Sequence, residues 1–178
     1  MRHDIKENKL ANISYLRNFV FGVEDSLVST VGLLSGIAIA GVTRETLFVT
    51  AIVLISVEAI SMSAGSFLSE SSVEAYSTKS DSPTKNSYLS TFIMFVSYFI
   101  SGFIPLIPYL IFPTTKAFFI SIVASILALG VLGVISAKIS KTNISKSVLR
   151  MVFVGGLATL TGVIIGKIDF SSLFYSFY

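Results

Sequence analysis

The chain of 178 residues has no cysteine. That excludes disulfides, thiolate metal centres and thiol catalysis. It has one histidine, His3, placed in a polar N-terminal stretch that reads as a disordered tail. Any metal would therefore meet carboxylate, thioether, hydroxyl or carbonyl groups. Charge is also scarce: 13% of residues are charged, against about 25% in ordinary soluble domains. With 53% hydrophobic residues, a soluble fold of this size could not hide its apolar surface, so the bilayer must be the solvent. The start, Met1-Arg-His-Asp-Ile-Lys-Glu-Asn-Lys9, lacks an apolar core followed by a small-residue cleavage site, so no secretory signal is expected. The alternation of a membrane β-barrel is missing, as is any internal repeat. No nucleophile–base pair or cofactor motif points to an enzyme, and no nucleic-acid partner is expected.

Long apolar runs are present, and there are five of them, near 15–41, 45–69, 88–112, 116–138 and 147–168. Backbone polar groups in lipid must be satisfied internally, so each run is expected to be a helix. The expected fold is all-α: one polytopic domain, residues 1–178, with five transmembrane helices. Ten lysines and arginines (Arg2, Lys6, Lys9, Arg17, Lys79, Lys85, Lys138, Lys141, Lys146 and Arg150) fall on one side, and three (Arg44, Lys116 and Lys167) on the other. The positive-inside rule then puts the N-terminus in the cytoplasm and the C-terminus outside or in a lumen. Residues 70–87 read as a short, serine-rich cytoplasmic loop with a turn at Asp81-Ser-Pro83. Pro105 and Pro108, with Pro113 just beyond, are expected to kink or end the third helix near the outer surface. The aromatic end Phe170–Tyr178 suits the opposite interface.

Two acids, Glu24 and Asp25, stand inside the first apolar run, which carries no further charge until Arg44. A carboxylate in hydrocarbon costs several kcal/mol and usually marks an ion or proton path. Counted from Arg17, Asp25 lies about 12 Å into the membrane at helical rise. The second helix runs back, and Met62 sits at a similar depth; Glu58, one turn deeper, shares its face. The Asp25 face continues through Ser29, Gly32 and Gly36, with Gly32 and Gly36 in GxxxG spacing; the Met62 face continues through Gly65 and Ser69. Small faces of this kind let helices approach closely. The two faces are expected to meet in the cytoplasmic half of the membrane. A hard carboxylate beside a soft thioether suits a borderline divalent ion such as Fe²⁺ better than Mg²⁺ or Ca²⁺.

Each residue also has a plainer reading. Met62 is compatible with packing alone. Glu24 could lie near the interface, paired with Arg17 or Lys9. Glu58 could be locked to a serine. Glu70 and Glu74, at i,i+4, are either a solvated helix end or a candidate cytoplasmic mouth for the ion. Asp25 is the hardest to assign to structure alone, because no lysine or arginine within the membrane offers it a partner.

Four stretches resemble the vacuolar iron transporter family: Arg17-Asn-Phe-Val-Phe-Gly-Val-Glu-Asp25-Ser-Leu-Val-Ser-Thr30, Ser61-Met62-Ser-Ala-Gly65-Ser-Phe-Leu-Ser69, Ser101-Gly-Phe-Ile-Pro105-Leu-Ile-Pro108-Tyr-Leu110 and Gly155-Gly-Leu-Ala-Thr-Leu-Thr-Gly162-Val-Ile-Ile-Gly166. The resemblance implies a five-helix homodimer that moves Fe²⁺ or Mn²⁺ out of the cytoplasm in exchange for protons. It implies Asp25 as the transport carboxylate and Met62 as its partner ligand. The chain departs from the family at Ser66, where glutamate is common, at Ser26, where glycine is usual, and at Glu58, where small residues are usual. Only 18 residues, 70–87, stand where plant-type members carry a glutamate-rich metal-binding domain.

The combined expectation is a metal exporter with Asp25, Met62, Glu58 and Glu24 at the ion site and Gly32, Gly36 and Gly65 at helix-packing or dimer contacts. Its partners would be a second copy, divalent ions, protons and the lipid bilayer. No cofactor would be permanently bound; Fe²⁺ or Mn²⁺ would be substrate. The expected home is a prokaryotic plasma membrane, or a vacuolar membrane in a eukaryote. The alternative is a non-transporting oligomeric scaffold or sensor.

Overall fold

The computed structural model describes residues 2–78 and 84–168, with side chains from 11 to 76 and from 84 to 168. The Asp81-Ser-Pro83 turn, the His3 side chain and the aromatic end from Phe170 lie outside this description. Five helices follow in order: α1 (Arg2–Ile39), α2 (Arg44–Thr78), α3 (Lys85–Ile111), α4 (Thr114–Ser140) and α5 (Ile144–Gly166). All five contain a stretch long and apolar enough to cross a membrane. The protein is an all-helical integral membrane protein; among the described residues there are no strands.

Two helices are longer than hydropathy suggested. α1 begins at Arg2, so the stretch around His3 continues the helix rather than forming a tail. No glycine or proline interrupts residues 2–20, and Lys, Glu, Leu and Ala there are good helix formers. α2 runs on to Thr78 and α3 begins at Lys85, so most of the expected 70–87 loop is helix too. Its serines are absorbed by the turn before them: Ser71 Oγ donates to the Phe67 carbonyl and Ser72 Oγ to the Leu68 carbonyl, both at 2.7 Å. Nor do Pro105 and Pro108 end α3, which continues to Ile111 and stops two residues before Pro113. Each proline removes one backbone donor. From α4, Ser121 Oγ donates to the Pro105 carbonyl at 2.6 Å.

The connections are tight. Gly41, at φ 76°, turns α1 into α2, a conformation that a side chain would strain. Thr84 caps α3 and Asn143 caps α5, while Lys141 closes α4 in the left-handed region. At one end of the bundle Tyr15 Oη donates to Asn86 Oδ1 at 2.8 Å, and Ser14 meets Ser90 at 2.9 Å. At the other end Arg44 holds the Tyr109 and Leu110 carbonyls at the end of α3. The helices therefore alternate up and down.

α1 and α3 form the centre. α3 packs on α1, α2 and α4; α1 also packs on α5, and touches α2 least. One apolar cluster joins Leu34, Leu47, Ile55, Leu106 and Tyr109; a second joins Leu27, Leu129, Leu132 and Met151. Outward faces keep helical spacing, as in exposed Phe119, Val123, Leu127 and Val131 of α4. Buried serines at 26, 35, 87, 90, 97, 101, 121 and 125 let the helices come close.

Candidate ion site

Three helices cross at the depth of Asp25, and small residues make the crossing possible. A Cβ on Gly22 of α1 would stand 3.1 Å from the Met94 carbonyl and from Ser97 Cβ of α3. A Cβ on Gly102 of α3 would stand 2.7 Å from Ile55 of α2 and 2.9 Å from Ser26 Oγ of α1. At this crossing Ser26 is fully buried and donates to the Tyr98 carbonyl at 2.6 Å. Ser26 replaces the glycine expected there by resemblance, and its hydroxyl ties α1 to α3.

Tyr98 is the residue the sequence reading missed. It is 0% exposed, although it sits in the middle of a membrane helix. Its hydroxyl donates to Glu58 Oε2 on α2 and meets Ser29 Oγ on α1 at 2.8 Å. A phenol has one proton, and here it points to Glu58, so Ser29 donates to the Tyr98 oxygen. Glu58 is thus locked to a tyrosine and, through it, to a serine. The signal was available: a mid-membrane tyrosine flanked by serines at 97 and 101 must find a partner for its hydroxyl.

Asp25 lies one turn before Ser29 and is half-buried. The charge of Glu58 acts on it, and the charges of both acids act on Tyr98. Asp25 and Glu58, chosen from sequence, are therefore brought together. Among the described residues neither is in an ion pair with lysine or arginine. Met62 is partly buried one turn from Glu58. Ser66, a further turn along, is buried with its hydroxyl unpartnered among the described residues. Among the described residues no group of three histidine, aspartate or glutamate side chains could hold a metal.

Glu24 does not pair with Arg17, and the Lys9 side chain, the other partner considered, lies outside the described residues. The cation acting on it is Arg150 of α5. Arg17 instead forms an ion pair with Glu70, which also accepts from Ser14 Oγ. Glu74 accepts from the Thr84 backbone N–H at 2.9 Å and from Thr84 Oγ1 at 2.5 Å. Both acids considered for a cytoplasmic mouth are thus engaged in joining helix ends.

The two small-residue faces do not meet each other. Gly32 and Gly36 of α1 face Ala158 and Gly162 of α5, and a Cβ on Gly36 would stand 2.9 Å from the Gly162 carbonyl. Around Gly65 there is open space. The reason is that α5 carries its own small residues at i,i+4 spacing, Ala158, Gly162 and Gly166, which complement α1. Beside this contact runs a groove of about 540 Å³, lined by Asp25, Ser29, Gly32, Gly36 and α5 residues from Ala158 onward. Asp25 is its only acidic lining residue.

The site thus joins a carboxylate on the central helix, a tethered carboxylate on its neighbour and a thioether one turn away, inside a five-helix membrane bundle. No curated protein matches the chain. A profile of the VIT family matches residues 16–85 and 73–167, which cover the first helix to the fifth; the chain belongs to this family, the vacuolar iron transporters, which are membrane metal-ion transporters.

Proposed function

We propose that the protein exports Fe²⁺, Mn²⁺ or both from the cytoplasm by proton antiport, working as a homodimer. The observation that carries this reading is the pair Asp25 and Glu58, two acids from different helices: Glu58 and Ser29, one turn on from Asp25, meet at the same Tyr98 hydroxyl at membrane depth, and neither acid has a paired cation among the described residues. Such a pair favours a divalent ion or a proton over an empty site, because either relieves the like-charge repulsion. Binding and protonation then exclude each other, which is the elementary requirement for exchange. Asp25 would bind the ion when ionised and release it when protonated from the acidic side. Met62 would bias the site toward softer ions. Glu24 would be an auxiliary carboxylate, balanced by Arg150.

One chain supplies few ligands. A second copy would double each of them about a common axis, and the open surface at Gly65 leaves α2 free to meet it. The excess of lysine and arginine at the N-terminal end supports a cytoplasmic N-terminus. The host would be a prokaryotic plasma membrane, or a vacuolar membrane in a eukaryote.

The test is flux in vesicles reconstituted with the purified protein, comparing Fe²⁺, Mn²⁺ and Co²⁺ with and without a pH gradient. Fe²⁺ or Mn²⁺ movement that accelerates with an acidic far side is the expected result. Metal flux indifferent to the gradient would remove protons as the counter-ion. No flux of any of the three ions would leave a scaffold or sensor.

A further inference from the structure

We propose that Tyr98 is a positioning residue of the ion site, holding the Glu58 carboxylate beside Asp25 through a bridge from Ser29. The proposal rests on the transport reading above and adds a residue to it from a third helix. Three observations carry it. Tyr98 is fully buried, so its hydroxyl has no water to turn to. That hydroxyl spans two helices, donating to Glu58 Oε2 of α2 while Ser29 of α1 meets it at 2.8 Å. Its backbone is itself anchored, since the Tyr98 carbonyl accepts from Ser26 at 2.6 Å and from Ser101 at 3.2 Å.

The chain Ser29–Tyr98–Glu58 therefore links α1, α2 and α3 where Asp25 lies. A glutamate has three rotatable bonds, and without a tether its carboxylate could swing away from its like-charged neighbour. The phenol supplies a charge-assisted hydrogen bond that resists this swing. An ion arriving at Asp25 would then find the second carboxylate already in place, rather than having to order it on binding.

Tyr98→Phe keeps the ring and removes only the hydroxyl, so the buried packing is retained. In reconstituted vesicles it should raise the Mn²⁺ concentration for half-maximal flux about tenfold, the scale of one lost hydrogen bond to a charged group. The maximal rate should stay within about twofold. Glu58→Gln should give a similar rise, and the double variant should be no worse than the worse single one. An unchanged half-saturation in Tyr98→Phe, or single effects that multiply in the double variant, would overturn the proposal. A second readout does not depend on transport. The chain has seven tyrosines, and in metal-free protein carrying 3-fluorotyrosine the ¹⁹F signal of Tyr98 is the one absent from Tyr98→Phe. It should move in Glu58→Gln and in Ser29→Ala; a signal that stays in place in both would also overturn the bridge. If wild-type vesicles pass no metal while this signal moves, the transport reading fails and the tether on Glu58 stands.

Discussion

Toward α5, helix α1 presents Gly32 and Gly36; toward α3 it presents Gly22, Ser26 and Ser29. Both faces are made of small residues, and both allow an approach closer than larger side chains permit. Toward α5 the contact is backbone against backbone, with glycines answering glycines. Toward α3 the same closeness is used to deliver hydroxyls, one to the Tyr98 carbonyl and one to its phenol. Asp25 stands between the two, lining the α1–α5 groove on one side and preceding Ser26 on the other. Smallness by itself thus builds a joint, and a joint becomes a site when a polar atom is carried into it.

The sharpest way to break the comparison is to remove the acid without touching either joint. Asp25→Asn preserves size and shape but not charge. We expect metal flux to fall by about a hundredfold or more, with an unchanged elution profile in detergent. Near-normal flux would mean that the charge of Asp25 is not what moves the ion.

Next in size is damage to the glycine joint. Gly36→Leu places a branched side chain against the Gly162 backbone, where neither helix can yield without losing the neighbouring contact. A destabilisation of about 3 kcal/mol is expected, read as a lowered midpoint of thermal unfolding in detergent. Ser26→Ala removes one hydroxyl from the other joint and should lower stability by only about 0.6 kcal/mol. If the two substitutions were equally damaging, the division between joint and site would be wrong.

Much of this plan is legible in the amino-acid sequence. Hydropathy marks a helix that must satisfy its backbone in lipid, so five runs became five helices. It does not mark where a helix stops in water, and α1 and α2 therefore reach further than their apolar segments. Asp25 and Glu58 were legible because charge inside an apolar run stands out. Tyr98 gives a fainter signal, because a tyrosine among phenylalanines passes as packing until its hydroxyl is traced to a partner. The GxxxG spacing showed that α1 has a close-packing face, but spacing cannot name the partner. Gly162 and Gly166 offered the complementary surface, and α2 was left with Gly65 facing outward.

A smaller effect separates packing from chemistry at Met62. Met62→Leu keeps volume and removes sulfur. If the thioether meets the ion, Fe²⁺ flux should fall about threefold more than Mn²⁺ flux, since softer ligands favour the later metal. Equal losses for both ions, measured in the same vesicles, would assign Met62 to packing.

The smallest expected effect lies at the helix ends, where charge is plentiful but exposed. Arg17 pairs with Glu70, yet the Arg17 side chain is 60% exposed while that of Glu70 is 16% exposed. Water and salt screen such a pair, and Glu70 keeps Ser14 as a donor if the arginine is removed. Arg17→Gln should therefore lower stability by no more than about 0.5 kcal/mol, and that difference should shrink further in high salt. The same ionic tie placed at the depth of Glu58 would have no such substitute, because no water replaces the Tyr98 hydroxyl there. A loss for Arg17→Gln as large as that for Gly36→Leu would show that the helix ends, rather than the small-residue joints, hold this bundle together.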